Sequence, residues 1–176
     1  MNEFSITKQL VLEVMRETSN RMKLLKEKFI DEYDVHMSNK NISEMLSKVM
    51  EKVAADIFTK HLGYKVEKAK SDREPDLFFT KINRPLEIKV TSTDVAWTGG
   101  EFSKRPFDYL LVSWGENFTE FFVVLAHLEK KDWISRISQS FYGPSFTAKN
   151  LFKMKDKEVF IGSFNENGTK LVRERI

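Results

Sequence analysis

Two short apolar runs interrupted by charged residues constrain this chain more than any other stretch. The first run is residues 74–79 (EPDLFF) and the second is residues 86–90 (LEIKV). Residues 83–85 (NRP) lie between them and have the composition of a turn, so the two runs are predicted to pair as a β-hairpin. A core strand normally carries only apolar residues, which makes the acids and the lysine in this hairpin candidates for a functional site.

The charged side chains of the hairpin fall on one face of the second strand. Because side chains alternate along a strand, Glu87 and Lys89 share one face, and Ile88 and Val90 point to the other. A half-buried carboxylate loses hydration and requires a partner. A divalent cation between Asp76 and Glu87 would be such a partner. Two carboxylates completed by a carbonyl and water suit magnesium.

The order of these residues resembles a known family of nucleases. The matching elements are Pro75-Asp76 and Glu87-Ile88-Lys89. Together they resemble the signature of the PD-(D/E)XK nuclease superfamily, which includes most type II restriction endonucleases. A helical run that contains Glu51 and ends before residues 63–66 (GYKV) is similar to the usual lead-in of that family. The resemblance covers about residues 43–114.

The resemblance implies a fold, an activity and a set of site residues. The fold would be α/β and restriction-endonuclease-like, with a mixed central β-sheet flanked by helices. The activity would be that of a magnesium-dependent, type II site-specific deoxyribonuclease, which hydrolyses phosphodiester bonds in double-stranded DNA. Asp76, Glu87 and the backbone carbonyl of Ile88 would hold Mg²⁺, and Glu51 would hold a metal-bound water. Lys89 would orient or deprotonate the attacking water.

Several alternatives stay open for these acids. Glu51 lies beside the apolar stripe of its helix, and a lone acid there is equally consistent with a solvated surface residue. Asp72 is a weaker rival of Asp76, because it lies in a polar loop and lacks the preceding proline. The hairpin register is also open. A tight turn over residues 80–83 places Asp76 across from Glu87, whereas a turn over residues 83–85 moves the two acids several residues apart.

Composition excludes some chemistry and permits the rest. The chain has 176 residues, enough for a single domain with a sizeable core, and 41% of them are hydrophobic. It has no cysteine, which excludes disulfides, thiolate zinc sites and a thiol nucleophile and fits a reducing, cytoplasmic location. No apolar run is long enough for a membrane span. The net charge of +3 permits nucleic-acid binding without requiring it.

The N-terminal part is predicted to be helical. Apolar residues at helical spacing predict a helix over residues 5–30, which either packs on the domain or mediates dimerisation. Residues 31–42 are predicted to be a loop. A second helix is predicted from Ser43, with Ser43 or Asn41 as its N-cap, and Gly63 is expected to end it.

The segment after the second hairpin strand differs in composition from a core element. Residues 91–106 combine small hydroxyls, a tryptophan, two adjacent glycines and two adjacent cations. This composition fits either a plain surface loop or a loop that contacts DNA. The DNA-contacting residues on the second interpretation are Thr93, Asp94, Trp97, Lys104 and Arg105.

The C-terminal part is predicted to finish the sheet. Strands are expected at residues 108–113, 121–126, 159–164 and 170–176, a helix at residues 130–140, and a loop at residues 141–149. The single domain then divides into an N-terminal helical segment (1–42), a catalytic core (43–126) and a C-terminal helix and hairpin (127–176).

The expected partner is double-stranded DNA, and assembly follows from the need to cut two strands. A homodimer on a palindrome is the simplest arrangement. A small cleavage subunit in a heterodimer with a larger DNA-recognition subunit is the alternative, because the chain shows no separate recognition domain. A repair or recombination nuclease is a further possibility, and so is a non-catalytic DNA-binding or protein-interaction module on the same fold.

Overall fold

The structure is a computed structural model, and it describes most of the chain. The described residues are 6–71, 73–92, 96–115, 118, 120–138, 141–147, 158–165 and 168–175, and after residue 133 only the backbone is described. Within these ranges two α-helices come first and ten β-strands follow. Among the described residues, no helix combines the length and the apolar composition needed to cross a lipid bilayer.

Two long helices form one layer. Helix α1 spans Lys8–Leu25 and continues into a π-helical turn at Lys26–Asp31, and helix α2 spans Asn39–Leu62. Ser38 is the N-cap of α2, because its hydroxyl accepts a hydrogen bond from the backbone N–H of Asn41 at 3.3 Å. The prediction of Asn41 or Ser43 as the N-cap is therefore wrong.

Two other predictions about the helices agree with the structure. Gly63 ends α2 in the left-handed conformation (φ 69°), as predicted. Helix α1 buries an apolar face against α2, which agrees with the interpretation that it packs on the domain. At its C-terminal end Leu24, Phe29 and Tyr33 remain exposed.

The main sheet has seven strands in the order β1-β2-β3-β5-β6-β9-β10. Their bounds are β1 Val66–Lys68, β2 Leu77–Phe79, β3 Arg84–Thr91, β5 Phe107–Trp114, β6 Phe121–Leu128, β9 Glu158–Asn165 and β10 Gly168–Arg175. Strands β3 and β5 are parallel, and the other neighbouring pairs are antiparallel. The prediction of an α/β fold with a mixed central sheet and helices is confirmed.

A smaller sheet has the order β4-β8-β7, with β4 at Ala96–Thr98, β7 at Ile134–Ser138 and β8 at Phe141–Thr147. The predicted helix at 130–140 is wrong, because the helical geometry is limited to a 3₁₀ turn at Lys130–Asp132. Trp133 enters the core after this turn, and the chain continues as β7, which pairs with β8. The predicted loop at 141–149 is wrong for the same reason, since β8 occupies most of it.

The strands β3, β5 and β6 of the main sheet are covered on both faces. One core joins the helices to alternate residues of the sheet, including Leu86, Ile88, Leu110, Val112 and Val123. The second core lies on the opposite face and contains Trp97, Phe102, Tyr109, Leu111, Val124 and Trp133. Strand β5 contributes to both cores, so it is buried on both faces. Glu87 and Lys89 lie on the face of the second core, because Ile88 belongs to the first.

Candidate active site

The register of the β2–β3 hairpin brings two acids together. Its paired residues are Leu77 with Leu86, Phe78 with Pro85, and Phe79 with Arg84. The turn is therefore at residues 80–83, where Asn83 adopts a left-handed conformation (φ 51°) that asparagine tolerates. Asp76 immediately precedes the first pair and Glu87 immediately follows it, so the two acids lie across from each other. The alternative turn at residues 83–85 is wrong.

A chain of hydrogen bonds links the four motif residues. The backbone N–H of Ile88 donates to Asp76 Oδ2 at 2.8 Å, and the backbone N–H of Asp76 donates to Glu87 Oε2 at 3.4 Å. Lys89 Nζ donates to Glu87 Oε1 at 2.5 Å. Glu87 is only 5% exposed, so this ammonium group is the cation that compensates its buried charge.

Glu51 extends the cluster from helix α2. It is 2% exposed, so the surface interpretation of this acid is wrong. Lys48 Nζ donates to Glu51 Oε1 at 2.7 Å, from three residues earlier on the same helix. The charge of Glu51 also raises the pKa of Asp76, so Glu51 lies within electrostatic range of the hairpin acid. Its predicted role in holding a metal-bound water stays a prediction.

The electrostatics of the cluster centre on Asp76. Burial is the largest cause that raises the pKa of this carboxyl, from 3.8 to about 7, and the Glu87 carboxylate adds to it. The Ile88 N–H, which donates to the carboxylate, and the Lys89 ammonium lower the pKa of Asp76 only in part. The acids therefore stand closer together than their ionised forms favour, and a bound cation would relieve this repulsion.

The oxygen atoms available at the site suit a cation that needs only a few protein ligands. Among the described residues, no three or more histidine, aspartate and glutamate side chains gather into a metal-binding group. Asp76 and Glu87 are two carboxylates, and the Ile88 carbonyl lies between Glu87 and Lys89 in sequence. Magnesium commonly binds one or two carboxylates and keeps several waters, so two protein carboxylates are enough.

Part of the segment predicted as a DNA-contacting loop lies against the site. After strand β4 the chain forms a 3₁₀ turn at Glu101–Lys104. A Cβ atom on Gly100 would lie 3.9 Å from Lys89 Nζ, so this backbone approaches the lysine closely. Ser103 fixes the approach, because its backbone N–H and its hydroxyl both donate to the Gly100 carbonyl, at 3.1 and 2.7 Å.

Trp97 does not have the position predicted for it. Its side chain is 1% exposed, its indole N–H donates to the Val112 carbonyl at 3.0 Å, and its ring stacks on Phe122. The prediction that Trp97 meets sugar or base edges is therefore wrong, because a core residue is not accessible to DNA. Thr93 and Asp94, and the rival acid Asp72, lie outside the described residues.

The two adjacent cations of this segment differ in their surroundings. Lys104 Nζ pairs with Glu101 Oε2 at 2.7 Å, and both side chains are exposed. The Arg105 guanidinium lies over the rings of Phe102 and Phe107, with centroid distances of 5.5 and 5.6 Å. Arg105 is thus held on two aromatic rings of the second core, on the face of the sheet that carries Glu87 and Lys89.

Tyr109 is a site neighbour that the sequence did not reveal. It lies on β5 directly opposite Glu87 in the parallel β3–β5 register. The motif spacing contains no information about which residue of a neighbouring strand stands beside Glu87. Only the register of the parallel pair identifies Tyr109.

No protein-family model matches the chain, and no curated protein matches it in sequence. The resemblance to PD-(D/E)XK nucleases therefore stays a prediction carried by the motif and by the geometry of the hairpin.

Proposed function

We propose that the chain is a magnesium-dependent DNA endonuclease of restriction type, with a restriction-endonuclease-like fold. The observation that carries the proposal is the hairpin register, which sets Asp76 across from Glu87 and leaves Lys89 on the same face as Glu87. A structural ion pair would need only one acid and one lysine. The second acid, whose pKa is raised by burial and by the first acid, is unfavourable in its ionised form unless a cation joins it.

The chain's own residues would divide the work of hydrolysis. Asp76, Glu87 and the Ile88 carbonyl would hold Mg²⁺, which when bound lowers the pKa of a water and neutralises charge on the phosphate. Glu51 uses one oxygen for Lys48, and its other oxygen would accept a hydrogen bond from a water at the site. Lys89 would turn from Glu87 to the attacking water and stabilise the negative charge that develops on the phosphate.

Metal dependence is the first test of the proposed function. We expect the pure protein to cut plasmid DNA in magnesium and to bind DNA without cutting it in calcium, because calcium holds oxygen ligands in a looser geometry. Cleavage is measured on gels, and sequencing of the cut ends shows where the bonds break. Asp76→Ala and Glu87→Ala are matched controls that should lose cleavage. Undiminished cleavage in excess chelator would contradict the proposal.

The second test concerns DNA affinity, and it compares substitutions of the neighbouring cations Lys104 and Arg105. We expect Arg105→Ala to weaken binding to all sequences alike and to reduce the slope of log affinity against log salt by about one. Lys104→Ala is the matched control, because Lys104 already pairs with Glu101 and should change affinity less. Affinity is measured in calcium at several salt concentrations. Equal effects of the two substitutions would remove the special role of Arg105.

A cleavage subunit of a heterodimer is the second candidate, and the burial of Trp97 favours it. With Trp97 in the core, the described part of the 91–106 segment offers phosphate-contacting cations but no aromatic group for base contacts. A cleavage subunit would bind DNA weakly and without sequence preference until its larger partner is added. Footprinting of the pure chain on random-sequence DNA separates the candidates, because a self-sufficient homodimer protects a recurring sequence.

A further inference from the structure

Packing accounts for the ring of Tyr109 but not for its hydroxyl group. The residue is completely buried (0% exposed), and its ring packs against Phe107 and Trp133 at centroid distances of 5.8 and 5.2 Å. Within the described part of the chain, its hydroxyl is buried and has no hydrogen-bond partner. A buried hydroxyl without a partner is unfavourable, and a phenylalanine would fill the same space without that cost.

Tyr109 stands beside Glu87 in the main sheet. Tyr109 and Glu87 are paired residues of neighbouring parallel strands, so their side chains leave the same face of the sheet. Burial raises the pKa of the Tyr109 phenol, and the negative charge of Glu87 raises it further, while Arg105 lowers it. The phenol therefore keeps its proton and remains a hydrogen-bond donor beside an acceptor.

In this structure the Lys89 ammonium donates a hydrogen bond to Glu87, and the proposed reaction would remove that bond. Lys89 Nζ donates to Oε1, and among the described residues the only other hydrogen bond to this carboxylate is the longer one of 3.4 Å from the backbone N–H of Asp76 to Oε2. When Lys89 turns to the attacking water, Glu87 loses the donor that orients it. One carboxylate oxygen would then face the metal, and the other would lack a partner unless a neighbour supplies one.

We propose that Tyr109 is a positioning residue whose hydroxyl donates to Glu87 when the Lys89 ammonium leaves that carboxylate. The use of this exchange in catalysis rests on the proposed function, but the exchange itself depends only on the three side chains. It also explains why a buried position beside Glu87 has a tyrosine rather than a phenylalanine.

A four-protein comparison of stability tests the exchange without metal or DNA. The proteins are wild type, Tyr109→Phe, Lys89→Met and the double variant, at pH 8. In the wild-type background the hydroxyl has no partner among the described residues, so we expect Tyr109→Phe to leave Tm unchanged or raise it. In the Lys89→Met background the hydroxyl has moved to Glu87, so the same substitution should lower Tm by about 2–4 °C, the shift for one lost hydrogen bond in a chain this long.

Thr18→Val is the matched control for removal of a buried hydroxyl. The Thr18 hydroxyl on α1 is also buried without a hydrogen-bond partner in the described part of the chain, and Thr18 belongs to a helix remote in sequence from Lys89. Its substitution should change Tm equally in the wild-type and Lys89→Met backgrounds. The same change in Tm for Tyr109→Phe in both backgrounds would overturn the proposal.

A spectroscopic measurement follows the hydroxyl directly. The chain has four tyrosines, and a ¹³C label at each Cζ gives one signal per ring, of which Tyr109→Phe removes one and so identifies it. We expect the Tyr109 signal to shift in metal-free Lys89→Met relative to wild type. An unmoved signal would overturn the proposal even where the stability data agree with it.

These measurements separate the two proposals. A wild-type protein that cuts no DNA but shows the reversal in Tm and the shifted signal contradicts the nuclease and supports the exchange. A wild-type protein that cuts DNA but shows neither effect supports the nuclease and overturns the exchange. If both proposals hold, Tyr109→Phe should lower kcat about tenfold and leave DNA affinity in calcium unchanged.

Discussion

Lys89→Met should cut DNA at least about a hundredfold more slowly than wild type, the usual scale for losing a general base or a charge stabiliser. Methionine keeps most of the length of the side chain and removes the ammonium group, so packing around the site changes little. DNA affinity in calcium should stay near that of wild type, because the proposed contact with the DNA phosphates is made by Arg105. Single-turnover cleavage in magnesium and affinity in calcium are the two measurements.

The control for Lys89→Met is another lysine in an ion pair. Lys52 pairs with Asp56 on the exposed side of α2, so Lys52→Met removes one positive charge outside the site. It should cut at the wild-type rate. Equal rates for Lys89→Met and wild type would remove Lys89 from the mechanism and leave only a structural ion pair with Glu87.

Asp76→Asn should abolish cleavage and, in the absence of metal, make the protein more stable at pH 8. The buried Asp76 carboxyl has its pKa raised from 3.8 to about 7, so the folded protein binds this proton more tightly than the unfolded chain does. The stability that this proton contributes is complete below about pH 4 and is lost as the pH rises through 7. Asparagine stays neutral, and its side-chain oxygen can still accept the hydrogen bond from Ile88.

The expected gain for Asp76→Asn is a few kcal/mol at pH 8, from a pKa displacement of about three units at about 1.4 kcal/mol each as an upper limit. The gain should shrink toward zero as the pH falls to 4. Asp56→Asn, at an exposed acid on α2, controls for the removal of one negative charge. Magnesium should stabilise wild type and not Asp76→Asn. Equal stabilisation of both proteins by magnesium would contradict the assigned ligand.

The local features of the site were predictable from the sequence, but their contacts were not. Alternation along a strand was enough to put Glu87 and Lys89 on one face. The sequence does not determine the register of the hairpin, because both candidate turns have suitable residues and only the pairing of Arg84 and Pro85 within the ladder decides between them. The burial of Glu51 also required the fold, since it depends on how α2 packs on the sheet.

The errors share a physical cause, which is that long-range pairing overrides local composition. Residues 130–140 have a spacing that suits a helix, yet they contain β7, which pairs with β8. Trp97 lies among glycines and hydroxyls, which indicate a surface loop. Its ring nevertheless packs in the second core, and its indole N–H donates to the Val112 carbonyl. The pattern within one segment does not indicate which distant strand that segment pairs with or packs against.

The parallel pairing of β3 and β5 has a consequence for attempts to engineer the protein. Parallel neighbours need a crossover connection, and here residues 92–106 make it. The same residues carry Gly100, which lies against Lys89, and Trp97, which fills the core. A loop from another protein grafted here would therefore disturb both folding and the surroundings of Lys89, the proposed catalytic lysine. Within the hairpin turn at residues 80–83, the exposed Lys81 is a safer position for change, because it lies outside the ladder.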